Sequence, residues 1–166
     1  ITQVAKGNGV GKNTANINQS GDNLPQDNTA TITQEVTDNA INNANIGQYH
    51  NSSNVTITQK ASGEQVENYA SITSESFSTS NIAQEVVGEN SKNKAYATLG
   101  GQNEANITQK LQGKESLNYI TIYQKPELPA ISSKNNSATV TQTINGNAST
   151  NNGYIDQNYT ISESNT

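Results

Sequence analysis

A chain of 166 residues that is 30% hydrophobic, 5% aromatic and 14% charged is too polar for an ordinary globular core and too weakly charged for a charge-rich disordered segment. A net charge of -5 with no Arg gives no basic face for nucleic acid or anionic lipid, and no apolar run reaches the length of a membrane span. Without Cys there are no disulfides and no thiolate metal sites.

In chain order, Ile1-Thr2-Gln3 reads as the end of a strand. With no Met before it, the expectation is a chain whose leader has been removed and which is exported. A second strand ends at Gln19, and the segment near 20–27 follows it. That segment holds Pro25, which cannot join a ladder, so it should bulge out of the fold. Gln34, Gln59, Gln84 and Gln109 then recur at 25-residue intervals, the signature of a repeat architecture. A second strand sits in each repeat, opening on Asn42, Asn68, Asn93 and Asn118. Between the two runs an arc with the form Gln, any, apolar, any, Gly recurs, as in Gln84-Glu85-Val86-Val87-Gly88. Its Gly is expected to permit a turn with positive φ. Pro126 and Pro129 mark a second insertion near 125–135, after which Gln142 and Asn151 resume the pattern. Tyr159-Thr160-Ile161-Ser162-Glu163 opens a partial seventh repeat.

Strand parity says which side chains share a face. In Asn103-Glu104-Ala105-Asn106-Ile107-Thr108-Gln109, the residues Asn103, Ala105, Ile107 and Gln109 point one way. Carboxamides flanking an apolar pair on an inner face are costly unless they pair, and identical residues stacked in columns pair with one another. The predicted fold is therefore all-β: a two-sheet parallel β-solenoid with cross-β stacking, one domain over residues 1–166, six repeats and part of a seventh. The ladder residues are Gln34, Gln59, Gln84, Gln109 and Gln142 in one sheet and Asn42, Asn68, Asn93, Asn118 and Asn151 in the other. Gln3 takes the first place in the Gln series, and Ser74 and Leu99 stand where Gln is expected in the second strands. Six rungs at about 4.8 Å make a body roughly 29 Å tall.

Two outward columns follow from the same period. Glu35, Lys60, Glu85 and Lys110 alternate in sign, as a stacked register would select. Tyr69, Lys94 and Tyr119 would place a cation between two aromatic rings.

The spacing of Ser or Asn, five residues, then Gln, seen in Ser53 to Gln59, Ser78 to Gln84 and Asn103 to Gln109, resembles the curlin repeat of bacterial curli subunits. That resemblance covers nearly the whole chain. It implies a secreted subunit, extracellular or on the cell surface, that polymerises into an amyloid-type fibre of the biofilm matrix. It also implies a nucleator and secretion partners, with inward Gln and Asn ladders.

No catalytic constellation, cofactor site or metal site is expected. His50 is the only histidine, and Asp22, Asp27, Asp38 and Asp156 are scattered. The expected function is a structural subunit that self-assembles head to tail, with no nucleic-acid partner and no membrane insertion. The polymer interface is expected at Ile1 and Gln3 at one end and Tyr159, Ile161 and Glu163 at the other, because an open strand edge templates further pairing. The alternative is a soluble binding solenoid, an adhesin or ice-binding protein, using the outward pairs Thr31/Thr33, Thr56/Thr58 and Thr139/Thr141. That threonine array is interrupted at Asn81/Ala83.

Overall fold

The structure, a computed structural model, describes residues 2–8, 11–20, 28–37, 39–49, 53–74, 78–100, 103–125 and 137–157. Their regular elements are all strands, joined by short turns. These are β1 (Thr2–Asn8), β2 (Gly11–Ser20), β3 (Asn28–Thr37), β4 (Ala40–Tyr49), β5 (Ser53–Ser62) and β6 (Glu67–Ser74), followed by β7 (Ser78–Val87), β8 (Lys92–Gly100), β9 (Asn103–Gln112), β10 (Leu117–Lys125), β11 (Ser137–Asn145) and β12 (Thr150–Gln157). Odd-numbered strands make one six-stranded sheet in the order β1-β3-β5-β7-β9-β11, and even-numbered strands make the other, from β2 to β12. Every pairing is parallel, so the chain is a two-sheet β-solenoid in which each turn lays one strand on each sheet.

The alternation of small or β-branched inner residues with polar outer ones dictates both the strands and their register. In β6 and β7 burial alternates residue by residue, as the period of two requires. Ile32, Ile57, Ile82 and Ile107 stack directly over one another between the sheets, and Ile46 and Ile72 do so opposite them. These side chains are 0–2% exposed, so a slip by one residue would turn the entire apolar set outward.

A second, smaller apolar cluster fills the arc between the sheets. Val36, Ala61, Val86, Leu111 and the partly buried Ile144 form its column, closed by Ala40 and Val66. The arcs also hydrogen-bond to one another: the amides of Gln65, Asn90 and Glu115 donate to the carbonyls of Glu89, Lys114 and Asn147 at 2.9–3.1 Å. Gln65, Asn90, Glu115 and Ala148 all hold positive φ, between 53° and 57°, and this recurring left-handed residue turns the chain from one sheet into the other. The Gly of the arc has a partly different reason from the one its sequence suggests. Gly63 and Gly113 do have positive φ, but at Gly88 a Cβ would lie 1.6 Å from the Gly63 carbonyl oxygen. Close approach of successive backbones demands Gly there.

One register differs from the sequence expectation. Ala5, not Gln3, lies opposite Gln34, and Gln3 lies opposite Ile32. The reason is arc length. From Ala5 to Asn13 is 8 residues, as from Gln34 to Asn42, whereas a Gln3 register would force 10 residues through an arc that the next rung crosses in 8. The segments 21–27 and 126–136, where the insertions were expected, and 158–166, where the partial seventh repeat was expected, lie outside the described residues.

Candidate functional site

The chemistry of this molecule lies in its buried carboxamides. In the first sheet, Nε2 of Gln59 donates to Oε1 of Gln34, Gln84 to Gln59, and Gln109 to Gln84, each at 2.8 Å, and Gln142 continues to Gln109 at 3.0 Å. The second N–H of each reaches across to the opposite sheet, to the carbonyl of Tyr69, Lys94, Tyr119 or Asn152, at 2.7–3.1 Å. Each interior Gln thus satisfies both donors and its acceptor while almost wholly buried, which removes the penalty for an unpaired amide.

The Asn column of the second sheet follows the same logic with the opposite sense. Asn42 donates to Oδ1 of Asn68, Asn68 to Asn93, Asn93 to Asn118 and Asn118 to Asn151, each at 3.0 Å. Their other N–H groups reach the carbonyls of Lys60, Glu85, Lys110 and Thr143 one rung further on, at 2.9–3.3 Å. The Gln ladder therefore points its donors toward the N-terminal end of the stack and the Asn ladder toward the C-terminal end. The two rows of amide dipoles oppose and cancel.

The second sheet's own Gln column is broken in the middle. Gln48 donates to Gln19 and Gln157 to Gln124, but Ser74 and Leu99 occupy the two rungs between. Leu99 is 1% exposed and joins the main core, while Oε1 of Gln48 and Oγ of Ser74 have no partner among the described residues. A similar orphan is Ser80, 1% exposed in a column between Val55 and Ala105. Ser80→Ala is expected to stabilise the chain by about 1 kcal/mol, because it removes a buried hydroxyl that gains nothing from folding. A denaturation midpoint that fails to rise would show that the hydroxyl has a partner after all.

A serine ladder in the arc was not anticipated from the sequence. Oγ of Ser91 accepts from the Val66 amide at 3.2 Å, Ser116 from Ser91 at 3.0 Å and Ser149 from Ser116 at 3.1 Å. The signal was present: Ser91, Ser116 and Ser149 keep the same intervals as Gln84, Gln109 and Gln142.

The outward columns are less uniform. Lys60 and Glu85 approach to 3.9 Å with side chains about half exposed, a contact worth a few tenths of a kcal/mol at most. The register extends this alternation by one rung, since Lys6 stands opposite Glu35. The register sets Lys94 between Tyr69 and Tyr119, as expected. Lys94 turns to Glu67 at 2.9 Å, and Tyr96 fills the diagonal, with ring centroids 5.3 Å from Tyr69 and 5.7 Å from Tyr119. A carboxylate in reach binds the ammonium more strongly than two partly hydrated ring faces. Burial, and then the neighbouring Tyr119 and Tyr69 phenols, push the Tyr96 hydroxyl above its ordinary pKa.

Of the residues expected at a polymer interface, Gln3 lies in β1, an edge strand, while Ile1, Tyr159, Ile161 and Glu163 lie outside the described residues, as does His50. Among the described residues no group of His, Cys, Asp or Glu is arranged to hold a metal ion, and no helix is long and apolar enough to cross a membrane. Among them, too, no strand covers β11 or β12. Ile155, in register with the buried Ile122, is therefore 43% exposed. No family model, curated protein or solved structure matches the chain.

Proposed function

We propose that this chain is a structural subunit that self-assembles head to tail into an extracellular, amyloid-like fibre of a biofilm matrix, of the kind the curlin-like repeat implies. One observation carries the reading: amide ladders and core columns run the height of the stack and, among the described residues, end exposed at β11 and β12. An uncovered parallel edge with identical residues in register is a template for another rung. The partners are further copies of this chain, together with a nucleator and a secretion apparatus, and the role requires no catalysis and no cofactor.

The test is electron microscopy of purified chain after incubation, followed by fibre diffraction. Unbranched filaments with an axial repeat near 4.8 Å are expected. A chain that stays monomeric at high concentration overturns the proposal and transfers the argument to a binding solenoid that uses the outward Thr and Asn face.

A further inference from the structure

We infer that Tyr123 and Tyr154 form an oxidative cross-linking site, at which a haem peroxidase with hydrogen peroxide joins the two rings by a carbon–carbon bond and staples β12 to β10. The site belongs to a single folded chain and works with or without assembly.

The outer face of the second sheet gathers tyrosines in neighbouring columns. On β10, Tyr119 and Tyr123 stand at alternate positions on either side of Thr121, and the register sets Thr121 between Tyr96 of β8 and Tyr154 of β12. Strand parity turns Thr121 outward, yet it is only 4% exposed, because large rings surround it on all four sides. The centroids of Tyr123 and Tyr154 lie 5.8 Å apart, with their planes at 59°. Both rings remain accessible to an oxidant, at 39% and 50% exposure. Rotation of these exposed side chains brings a Cε of one ring onto a Cε of the other.

A phenol gives up an electron far more easily when its proton has somewhere to go. The Tyr154 hydroxyl donates to the Asp156 carboxylate, two residues on along the same face, and the register sets Asp156 opposite Tyr123. That carboxylate, and then partial desolvation and the Tyr123 phenol, push the Tyr154 hydroxyl above its ordinary pKa, so it stays a protonated donor. The cluster of Tyr69, Tyr96 and Tyr119 has similar ring spacings, 5.3 and 5.7 Å, but its rings are less exposed. The carboxylate that acts on Tyr96, Glu67, already holds the Lys94 ammonium at 2.9 Å.

Each phenol loses one electron to the oxidant and one proton, from Tyr154 to Asp156 and from Tyr123 to water. The two phenoxyl radicals join Cε to Cε, the hydrogens on the joined carbons leave as protons, and both oxygens are reprotonated. Two tyrosines become one dityrosine with the loss of two hydrogen atoms, and hydrogen peroxide takes up the electrons and protons as two molecules of water. The new bond spans residues 31 apart in sequence, so it restricts the unfolded chain and resists unfolding of β12 from the stack.

The test treats freshly dissolved chain, at about 1 µM, with a haem peroxidase and hydrogen peroxide. A neighbouring ring at a millimolar effective concentration outcompetes the rings of other chains about a thousandfold, so dityrosine fluorescence should appear while the chain stays monomeric. Peptide mapping should find the Tyr123 peptide joined to the Tyr154 peptide, two hydrogens lighter than their sum, with the bond between those residues. Tyr154→Phe should lower the yield about tenfold or more, since the remaining rings are not so placed. Tyr96→Phe, the matched loss of a phenol, should keep the wild-type yield. Asp156→Asn should slow the reaction about tenfold, the lower end of what a positioned proton acceptor contributes. A bond mapped among Tyr69, Tyr96 and Tyr119, links only between chains, or full yield from Tyr154→Phe overturns the site. A wild-type rate from Asp156→Asn overturns its proton transfer. The reaction is read on monomers, so its failure and a failure to form fibres are separate results.

Discussion

Gln84→Glu is expected to destabilise the chain by about 3–5 kcal/mol at neutral pH, the cost of breaking a buried polar pair and leaving a charge behind. Gln84 is 3% exposed and its Nε2 donates to Oε1 of Gln59 and to the Lys94 carbonyl, both at 2.8 Å. The substitution replaces that nitrogen by an oxygen, so two acceptors confront a carboxylate where each held a proton. Only the bond accepted from Gln109 survives. Burial and the facing oxygens raise the folded-state pKa of the introduced carboxyl above its ordinary value of about 4.3. The sign follows: the penalty is full above the raised pKa and shrinks as pH falls toward the unfolded value, since the neutral acid can donate one proton. A residual loss of about 1 kcal/mol remains in acid, because one hydroxyl replaces two N–H donors. Gln112→Glu, the same change on the exposed outer face of β9, should stay within about 0.5 kcal/mol of wild type. Chemical denaturation of both variants at pH 7 and pH 4 checks this, and equal midpoints at pH 7 would mean that the ladder does not hold the fold.

The period, the two sheets and the inner columns were readable in the sequence because strand parity and identical-residue stacking act on the same positions. A register that buries Ile57 over Ile32 also lays Gln59 over Gln34, so two independent patterns agree. Gln3 misled because its motif is right and only its spacing is wrong. Asn13 and Gln19 each lie 29 residues before their partners Asn42 and Gln48, as Ala5 does before Gln34, while Gln3 lies 31 before it. The fate of Lys94 was not readable from its column, since Glu67 reaches it diagonally across the register. Nor was the sense of the ladders. It is decided by which atom of each amide faces a carbonyl on the opposite sheet, a relation between strands that no local pattern encodes.

The close approach of successive arcs gives the cleanest remaining test of stacking. Gly88→Ala adds a Cβ that would lie 1.6 Å from the Gly63 carbonyl oxygen, and Gly113→Ala and Gly146→Ala repeat the clash one and two rungs later, at 1.8 and 1.7 Å. The obstacle is backbone held in a ladder, so no side-chain rotation relieves it. Neighbouring rungs must separate locally, which stretches the bonds from the Gly63 amide to the Val87 carbonyl, 2.9 Å, and from the Gly88 amide to the Gln112 carbonyl, 2.7 Å. It also loosens the packing of Val86 against Ala61 and Leu111 below the arc. Overpacking of this kind with two weakened buried hydrogen bonds should cost about 3 kcal/mol or more. Conformational freedom does not explain such a loss, because Gly88 has no positive φ, whereas Gly113 has, and its substitution carries that strain in addition. Gly11→Ala is the matched control: a Cβ there meets nothing within 4 Å, so its effect should stay within about 0.5 kcal/mol. Parallel denaturation of Gly88→Ala and Gly11→Ala separates the two causes, since a general glycine effect would shift both midpoints and rung-to-rung contact shifts only the first.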